Sequence, residues 1–258
     1  MKRLCIIGLD ARLVQDVRER HFGPFIYHPM LPRFQVLDGV LYIEKSSGVG
    51  MLPVDRVVFH GIYEDDFDLL TALAIWAGPC FPNPLGMMNC RLKLPCLARA
   101  LRVSRFNTKR GMVGPGTRVR VDRMTVGKWG NWHCGENKVK FDTQWTSEDP
   151  AVIEPFFPGR AVRVVSIGDQ HLQINLEGDD WLKSIHHPTA AITELDPELL
   201  ADTLALKAHF GLAMLANDYI VGEDGEKHLL EVNHIPNVTR FAELEALYRQ
   251  YLFRWLAS

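Results

Sequence analysis

Three side chains with hard oxygen donors lie close together near the carboxyl end of the chain. Asp218 lies on one predicted strand, and Glu231 and Asn233 lie on the next, beyond a turn at 223–225. Because Glu231 and Asn233 are two residues apart, they share one face of their strand, and a hairpin lets Asp218 reach that face. Such donors suit Mg²⁺, which completes its shell with phosphate oxygens and water. A solvated polar face is the alternative, but the apolar neighbours of Glu231 predict a buried strand, where a carboxylate needs a partner.

A second candidate is the segment that follows Lys128. It contains Gly130, His133 and Gly135 and continues into a basic strand that begins at Lys138. Glycine lets the backbone approach a ligand closely, exposed N–H groups cradle phosphate, and lysine supplies a mobile positive charge. A surface hairpin with solvated lysines is the alternative interpretation. The segment is not a Walker A loop, because the chain contains no GxxxxGK[ST] string.

Other groups of reactive residue types have simpler interpretations. His133 and Cys134 are adjacent on an extended segment, so their side chains point apart and do not pair as base and nucleophile. His186 and His187 lack the acidic spacing of a metal site and are typical of a solvated loop. The basic stretch 118–128 is either a solvated β face or the wall of a phosphate-binding cleft.

The hydrophobic pattern predicts the elements that must position these residues. Strand and helix patterns alternate in the first third, whereas short strands with tight connections, typical of antiparallel sheet, dominate the middle. The predicted strands are 4–9, 34–43 (a strand or hairpin), 56–59, 117–122, 123–128, 138–141, 151–156, 161–167, 171–175, 218–221 and 228–232. The predicted helices are 11–20, 64–76, 88–101, 197–210 and 240–256, and the Pro-rich stretch 79–84 marks a boundary.

Length and composition exclude several classes of protein. The chain has 258 residues, of which 47% are hydrophobic and 23% charged, with a net charge of -2. These values are ordinary for a globular protein and exclude collagen, coiled coil and disorder. Near-neutral charge and short apolar runs predict no nucleic-acid partner and no membrane span. Five cysteines without a CxxC pair, and no visible signal peptide, predict a cytoplasmic protein.

Taken in order along the chain, several of these segments resemble the ATP-grasp superfamily. The segments are 89–93 (NCRLK), 125–128 (TVGK) with its loop, 153–157 (IEPFF), 162–164 (VRV) and 230–236 (LEVNHIP) after Asp218. The loop is most similar to that of synapsins, and the metal motif is similar to those of ribosomal-protein glutamate ligase and D-alanine–D-alanine ligase. The resemblance covers nearly the whole chain, and the ordered set is more specific than any single motif.

The resemblance implies an α/β (α+β) fold. Residues 1–83 would form a small N-terminal α/β pre-grasp domain, and residues 84–258 an ATP-grasp domain whose two α+β subdomains clasp the nucleotide. The lid subdomain would cover about 105–153. ATP would bind together with one or two Mg²⁺ ions, or with Mn²⁺ in their place.

The resemblance also implies roles for individual residues. The α- and β-phosphates would contact Lys93, or Arg91 in its place, and Lys128. The lid loop would contain Gly130, His133 and Gly135, and the adenine hinge Glu154, Phe156 and Phe157. Arg163 would face the γ-phosphate or an acyl phosphate, and Lys183 would stand in for an Arg-x-Asn element of many relatives. Asp218, Glu231 and Asn233 would hold the metal. Ala161 stands where many relatives have an acid for the ribose hydroxyls.

The implied activity is ATP-dependent ligation of a carboxylate to an amine through an acyl phosphate, with release of ADP and phosphate. The substrates would be small-molecule or peptide carboxylates and amines, and a homodimer is expected only by analogy. Two alternatives stay open at this point: a synapsin-like ATP-binding or regulatory module without turnover, and a small-molecule kinase.

Overall fold

The computed structural model describes residues 2–21, 23–131 and 137–258. The predicted lid residues His133 and Gly135, together with Cys134, lie outside these described residues.

A parallel sheet forms the centre of the amino-terminal region. Residues 4–81 contain β1 (Leu4–Ile7), α1 (Ala11–Arg20), β2 (Phe25–His28), β3 (Phe34–Leu37), β4 (Val40–Glu44), β5 (Met51–Val54), β6 (Arg56–Phe59), α2 (Asp66–Trp76) and β7 (Cys80–Phe81). The parallel sheet has the order β2-β1-β6-β7, and β3-β4-β5 form a separate antiparallel sheet. All four residues of β1 are apolar and buried, as is typical of a parallel strand that is covered on both faces. α1 begins after Asp10, whose carboxylate accepts the Arg12 N–H at 2.9 Å.

The middle of the chain is antiparallel, as the short strands predicted. It contains α3 (Pro84–Arg91), α4 (Lys93–Ala100), β8 (Gly111–Val113), β9 (Arg118–Arg120), β10 (Thr125–Trp129), β11 (Lys138–Phe141), β12 (Gln144–Thr146) and β13 (Ala151–Pro155). One sheet has the order β11-β10-β13-β8, and we call it the lid sheet; β9 pairs separately with β12.

The prediction of one helix over 88–101 was wrong, because the chain forms two helices there. Leu92 separates them in an extended conformation, with φ −94° and ψ 117°. Pro95 accounts for the break: in a continuous helix its ring would clash with the carbonyl of Arg91, and its missing N–H would remove a hydrogen bond. The break places Pro95 in the first turn of α4, where a missing N–H costs little.

A five-stranded antiparallel sheet carries the carboxyl-terminal part of the chain. Its elements are β14 (Arg160–Ile167), β15 (Gln170–Asn175), β16 (Ala191–Thr193), α5 (Pro197–Phe210), β17 (Met214–Val221), β18 (Lys227–Asn233) and α6 (Ala242–Ala257). The order is β16-β15-β14-β17-β18, so β18 is an edge strand, and we call this the metal sheet. The predicted strand 218–221 is only the second half of β17.

The hydrophobic core is continuous between the amino-terminal region and the metal sheet. One cluster joins Ile7 and Phe59 to Val164, and a second joins Leu4 to Tyr248 on α6. The division into domains at 83/84 stays a prediction. Among the described residues, no helix combines the length and the apolar character that crossing a bilayer requires.

Candidate active site

Three charged side chains form a row across the metal sheet. Arg163 on β14 pairs in register with Asp218 on β17, and Asp218 pairs with Glu231 on β18. Residues directly opposite each other in antiparallel strands point to the same face, so these side chains are neighbours. Asn233 lies two residues beyond Glu231 on that face. The structure therefore brings Arg163 together with all three predicted metal ligands.

Each carboxylate of this row is paired with a cation. Arg163 donates from Nε to Asp218 Oδ1 at 2.6 Å and from Nη2 to Oδ2 at 2.8 Å. Burial lowers the pKa of Arg163, but Asp218 and Glu231 raise it by more, so the guanidinium stays charged. Lys138 on β11 approaches Glu231, with 3.6 Å between Nζ and Oε2. Protein cations thus neutralise both carboxylates, a role that a divalent metal is able to take over.

A β-bulge lies in β18 beside this row. The register of β17 and β18 shifts after Asp218, so that Leu230 is the extra residue on β18. A bulge disrupts the ladder and leaves backbone groups available for other partners. Arg110 Nη2 donates to the carbonyl oxygen of Leu229. Lys128 Nζ donates to the carbonyl oxygen of Leu230 at 3.4 Å.

Glu154 on β13 lies between these same two cations. Its Oε1 pairs with Lys128 Nζ, and its Oε2 accepts from Arg110 Nε at 2.5 Å. Burial raises the pKa of Glu154, but Lys128 and Arg110 lower it by more, so the carboxyl group is ionised. Burial lowers the pKa of Lys128, and Glu154 offsets part of that effect. The sequence motifs did not indicate Arg110, because an arginine directly before a short strand has no spacing to other residues that would predict a site.

A cleft between the lid sheet and the metal sheet contains most of the predicted residues. Those that line it are Lys128, Glu154, Phe156, Phe157, Lys183, Asp218 and Glu231. Its apolar wall includes Val126, Ala161, Leu176, Ile220 and Leu230. The cleft has a volume of about 130 Å³. Lys183 is exposed at the edge, where its Nζ donates to the carbonyl oxygen of Gly178 at 2.9 Å.

Aromatic side chains border the cleft at the predicted hinge. Phe156 lies edge-on to Trp181, with 6.3 Å between ring centroids, and Lys140 Nζ lies 4.8 Å from the Phe156 centroid. Phe157 stacks on His228, with 3.9 Å between ring centroids. The Phe156 N–H donates at 3.0 Å to the carbonyl oxygen of residue 124, so this hinge donor is already used.

Lys93 and Arg91, the two alternatives predicted for one phosphate contact, are not among the described residues that line the cleft. Lys93 is the buried first residue of α4, and its backbone N–H donates to the Asn131 carbonyl oxygen at 3.3 Å. Arg91 pairs instead with Asp66 of the amino-terminal region, which favours Lys93 for the phosphates. Gly130 starts the loop with φ of 71°, a conformation that glycine adopts without strain.

The donor set on β17 and β18 fits magnesium. Asn233 is buried, and its Nδ2 has no hydrogen-bond partner among the described residues, so protein groups do not fully engage the amide. Within the described ranges, no group of three His, Cys, Asp or Glu side chains is placed to hold a metal. Two carboxylates and one amide oxygen leave part of an octahedral shell open. Mg²⁺ commonly has such a small number of protein ligands, because phosphate oxygens and water complete its shell.

A second cavity, of about 350 Å³, lies between the amino-terminal region and the segment after β18. Its wall includes Asp10, His60, Asn237 and Thr239. His60 is half-buried, its buried Nδ1 has no hydrogen-bond partner in the described part of the chain, and desolvation lowers the pKa of His60 to about 4. Asp10 is the only charged side chain among the described residues of this wall. The sequence patterns did not indicate this cavity, because its residues come from three separate segments.

Comparison with known proteins identifies the fold. No family model matches the chain. A D-alanine–D-alanine ligase from Desulfotalea psychrophila is 32% identical in a 107-residue alignment, and the match covers 34% of this chain and only a third (33%) of that ligase. The D-alanyl-alanine synthetase A structure from Vibrio cholerae aligns over 99% of this chain and 97% of its own, with TM-score 0.72 and 12% identity.

A second class of ligase has a similar structure. A RiPP-associated ATP-grasp ligase from Chryseobacterium gregarium, solved with ADP and a leader and core peptide, aligns over 100% of this chain and 98% of its own. The TM-score is 0.65 and the identity is 13%. This chain therefore has the ATP-grasp fold, and the resemblance inferred from its motifs is confirmed.

Proposed function

We propose that this chain is an ATP-dependent ligase that joins a carboxylate to an amine. The observation that carries the proposal is the cleft, in which Asp218 and Glu231 of the metal sheet face Lys128 and Lys138 of the lid sheet. Oxygen donors for a metal and ammonium groups for phosphates on opposite walls suit a magnesium-bound nucleotide. The ligase fold and the matched segment of a D-alanine–D-alanine ligase support carboxylate–amine chemistry.

The cleft offers separate environments for the base and the phosphates. Its volume of about 130 Å³ is similar to that of cavities that hold one aromatic ring. Val126, Leu176 and Ile220 provide apolar contacts for a base, and Lys128 provides charge for phosphate oxygens. A bound Mg²⁺, held by Asp218, Glu231 and Asn233, would neutralise charge on the transferring phosphoryl group.

The reaction we propose has two steps. A carboxylate oxygen of the first substrate attacks the γ-phosphorus, the bond to the β-phosphate oxygen breaks, and ADP leaves. The amine nitrogen then attacks the acyl carbon, phosphate leaves, and the nitrogen loses a proton. The protein would contribute position and charge: Lys183 lines the edge of the cleft, and Arg163 lies next to it through its pair with Asp218, so both would offset charge on the phosphoryl group.

The second cavity is our proposed site for the amine. It begins two residues beyond Asn233, and its wall presents one carboxylate, Asp10, and a neutral imidazole, His60. An ammonium group fits this charge distribution better than a carboxylate does. The substrates would be small molecules or peptides, since the similar structures include both a D-alanyl-alanine synthetase and a ligase with a bound peptide.

The proposal is tested with Mg·ATP, a panel of small and peptide carboxylates, and a panel of amines, by measuring phosphate release and new amide products. Glu231→Gln should bind ADP within about threefold of wild type but lose phosphate release, because one metal ligand is lost. Glu226→Gln is the matched control, since Glu226 is an exposed carboxylate on the same hairpin. It should leave phosphate release unchanged.

A nucleotide-binding module without turnover is the second candidate. The bidentate pair between Arg163 and Asp218 favours it, because this pair occupies one of the metal ligands. Tight nucleotide binding with no phosphate release across the whole panel would support the module and contradict the ligase. ADP formation that leaves a phosphorylated substrate and no amide would indicate a kinase.

A further inference from the structure

Arg110 contacts both sheets that border the cleft. We propose that Arg110 is a positioning residue for nucleotide binding: it keeps the Glu154 carboxylate charged and in place while Lys128 turns from that carboxylate to the phosphates. This inference rests on the proposed function, because it assumes that a nucleotide enters the cleft.

The contacts of Arg110 use its whole guanidinium group. Nε donates to Glu154 Oε2 at 2.5 Å, Nη1 to the Thr108 carbonyl oxygen at 2.9 Å, and Nη2 to the Leu229 carbonyl oxygen. The side chain is only 4% exposed. A rigid planar group with five N–H donors holds three acceptors in fixed directions, which a lysine does not do. Arg110 therefore joins β13 of the lid sheet to β18 of the metal sheet.

The charge balance of the cluster explains the role. Each carboxylate oxygen of Glu154 has one cation: Lys128 on Oε1 and Arg110 on Oε2. When Lys128 turns to phosphate, Oε1 loses its partner. A buried carboxylate without a cation is strongly destabilised and takes up a proton. With Arg110 still on Oε2, the charge of Glu154 stays compensated and no proton is needed.

The other titratable groups near Glu154 do not replace Arg110. His228 on β18 interacts with Glu154, but burial lowers the pKa of His228, so the ring is uncharged near neutral pH. Lys138 on β11 lowers the pKa of Lys128 by charge repulsion, and it pairs with Glu231 on β18 rather than with Glu154. Among the described residues with a resolved interaction at Glu154, Arg110 is the permanent cation that remains when Lys128 leaves.

The test is calorimetric titration with Mg·ADP in buffers of different ionisation enthalpy, which gives both the affinity and the number of protons taken up. Arg110→Met should bind Mg·ADP about tenfold more weakly than wild type near pH 8 and take up close to one additional proton. Its affinity should recover by up to about tenfold for each unit of falling pH. Arg110→Lys should restore the wild-type proton number, because it returns a cation.

Two controls separate this role from a merely structural one. Arg110→Met combined with Glu154→Gln removes the carboxylate that would titrate, so the additional proton should disappear. Arg33→Met removes an exposed arginine from a pair with Glu44, 2.9 Å apart, and should change nothing. If Arg110→Met does not fold in a thermal scan, Arg110→Gln takes its place with the same expectation.

The outcomes are distinct. If Arg110→Met or Arg110→Gln takes up the wild-type number of protons and binds Mg·ADP within threefold of wild type, the proposed role of Arg110 is overturned. The proposed function would still stand. Equal loss of affinity in the Met and Lys variants, without a change in proton number, would show a packing role and overturn it as well. If wild type itself does not bind Mg·ADP, the proposed function fails, and this inference fails with it.

Discussion

The pair between Arg163 and Asp218 offers a direct test of the metal site. In Arg163→Met, the guanidinium that neutralises Asp218 is lost, while the carboxylate and its neighbour Glu231 remain on the same face. We expect this variant to be destabilised without metal and to regain stability when Mg²⁺ is added.

The magnitude follows from the geometry. The pair makes two hydrogen bonds, at 2.6 and 2.8 Å, between side chains that are 15% and 13% exposed. Removing one partner of a buried pair typically costs about 3–5 kcal/mol, and the residual exposure here places the loss near 3 kcal/mol. For a chain of this size, that corresponds to a fall in Tm of about 6–12 °C.

The assay is urea unfolding followed by circular dichroism, in EDTA and in a saturating concentration of Mg²⁺. Saturating Mg²⁺ at about a hundred times Kd should stabilise Arg163→Met by about 2.7 kcal/mol. Wild type should gain less, because its Arg163 competes with the metal for Asp218. Adding Asp218→Asn to Arg163→Met should abolish the response to Mg²⁺.

Two results would refute this reasoning. The first is a loss below about 1 kcal/mol in EDTA, the range typical of exposed ion pairs such as Arg33 with Glu44. The second is an equal Mg²⁺ response in wild type and Arg163→Met, which would show that the metal, if bound, does not use Asp218.

Two further predictions concern protonation and nucleotide selectivity. Burial lowers the pKa of His60 to about 4 from an ordinary value near 6.5, so the folded state holds the ring neutral over a range where the unfolded chain is protonated. Stability should fall as the pH drops from about 6.5 to about 4, by roughly 3 kcal/mol in total, and the urea midpoints of His60→Asn should lack this part of the slope. The cleft carboxylates Glu154, Asp218 and Glu231 already pair with cations, and Ala161 carries no polar group to bind the ribose 2′-hydroxyl. Loss of that hydroxyl should therefore matter little, and 2′-deoxyADP should bind within about threefold of ADP. Ala161→Glu should raise the preference for ADP to about tenfold in a binding titration, and a wild-type preference of that size would contradict the reasoning.

Local patterns predicted much of the fold. The apolar run Leu4–Ile7 and the strands 161–167 and 228–232 lie in the predicted elements, because the apolar pattern and the length of a strand are properties of neighbouring residues. The single helix over 88–101 was wrong, since Pro95 breaks it at Leu92. β17 begins at Met214 rather than 218, because an apolar run next to a helix end carries no clear period.

The division between sequence and tertiary structure is clearest in the site itself. The spacing of Glu231 and Asn233 already predicted two oxygen donors on one strand face, because alternation along a strand is local. The position of Asp218 opposite Glu231 depends on the register between two strands. The bulge at Leu230 and the cation pairs that neutralise the carboxylates depend on contacts between distant segments. Arg110 approaches Glu154 only because the lid sheet and the metal sheet pack together, and burial then makes their opposite charges interdependent.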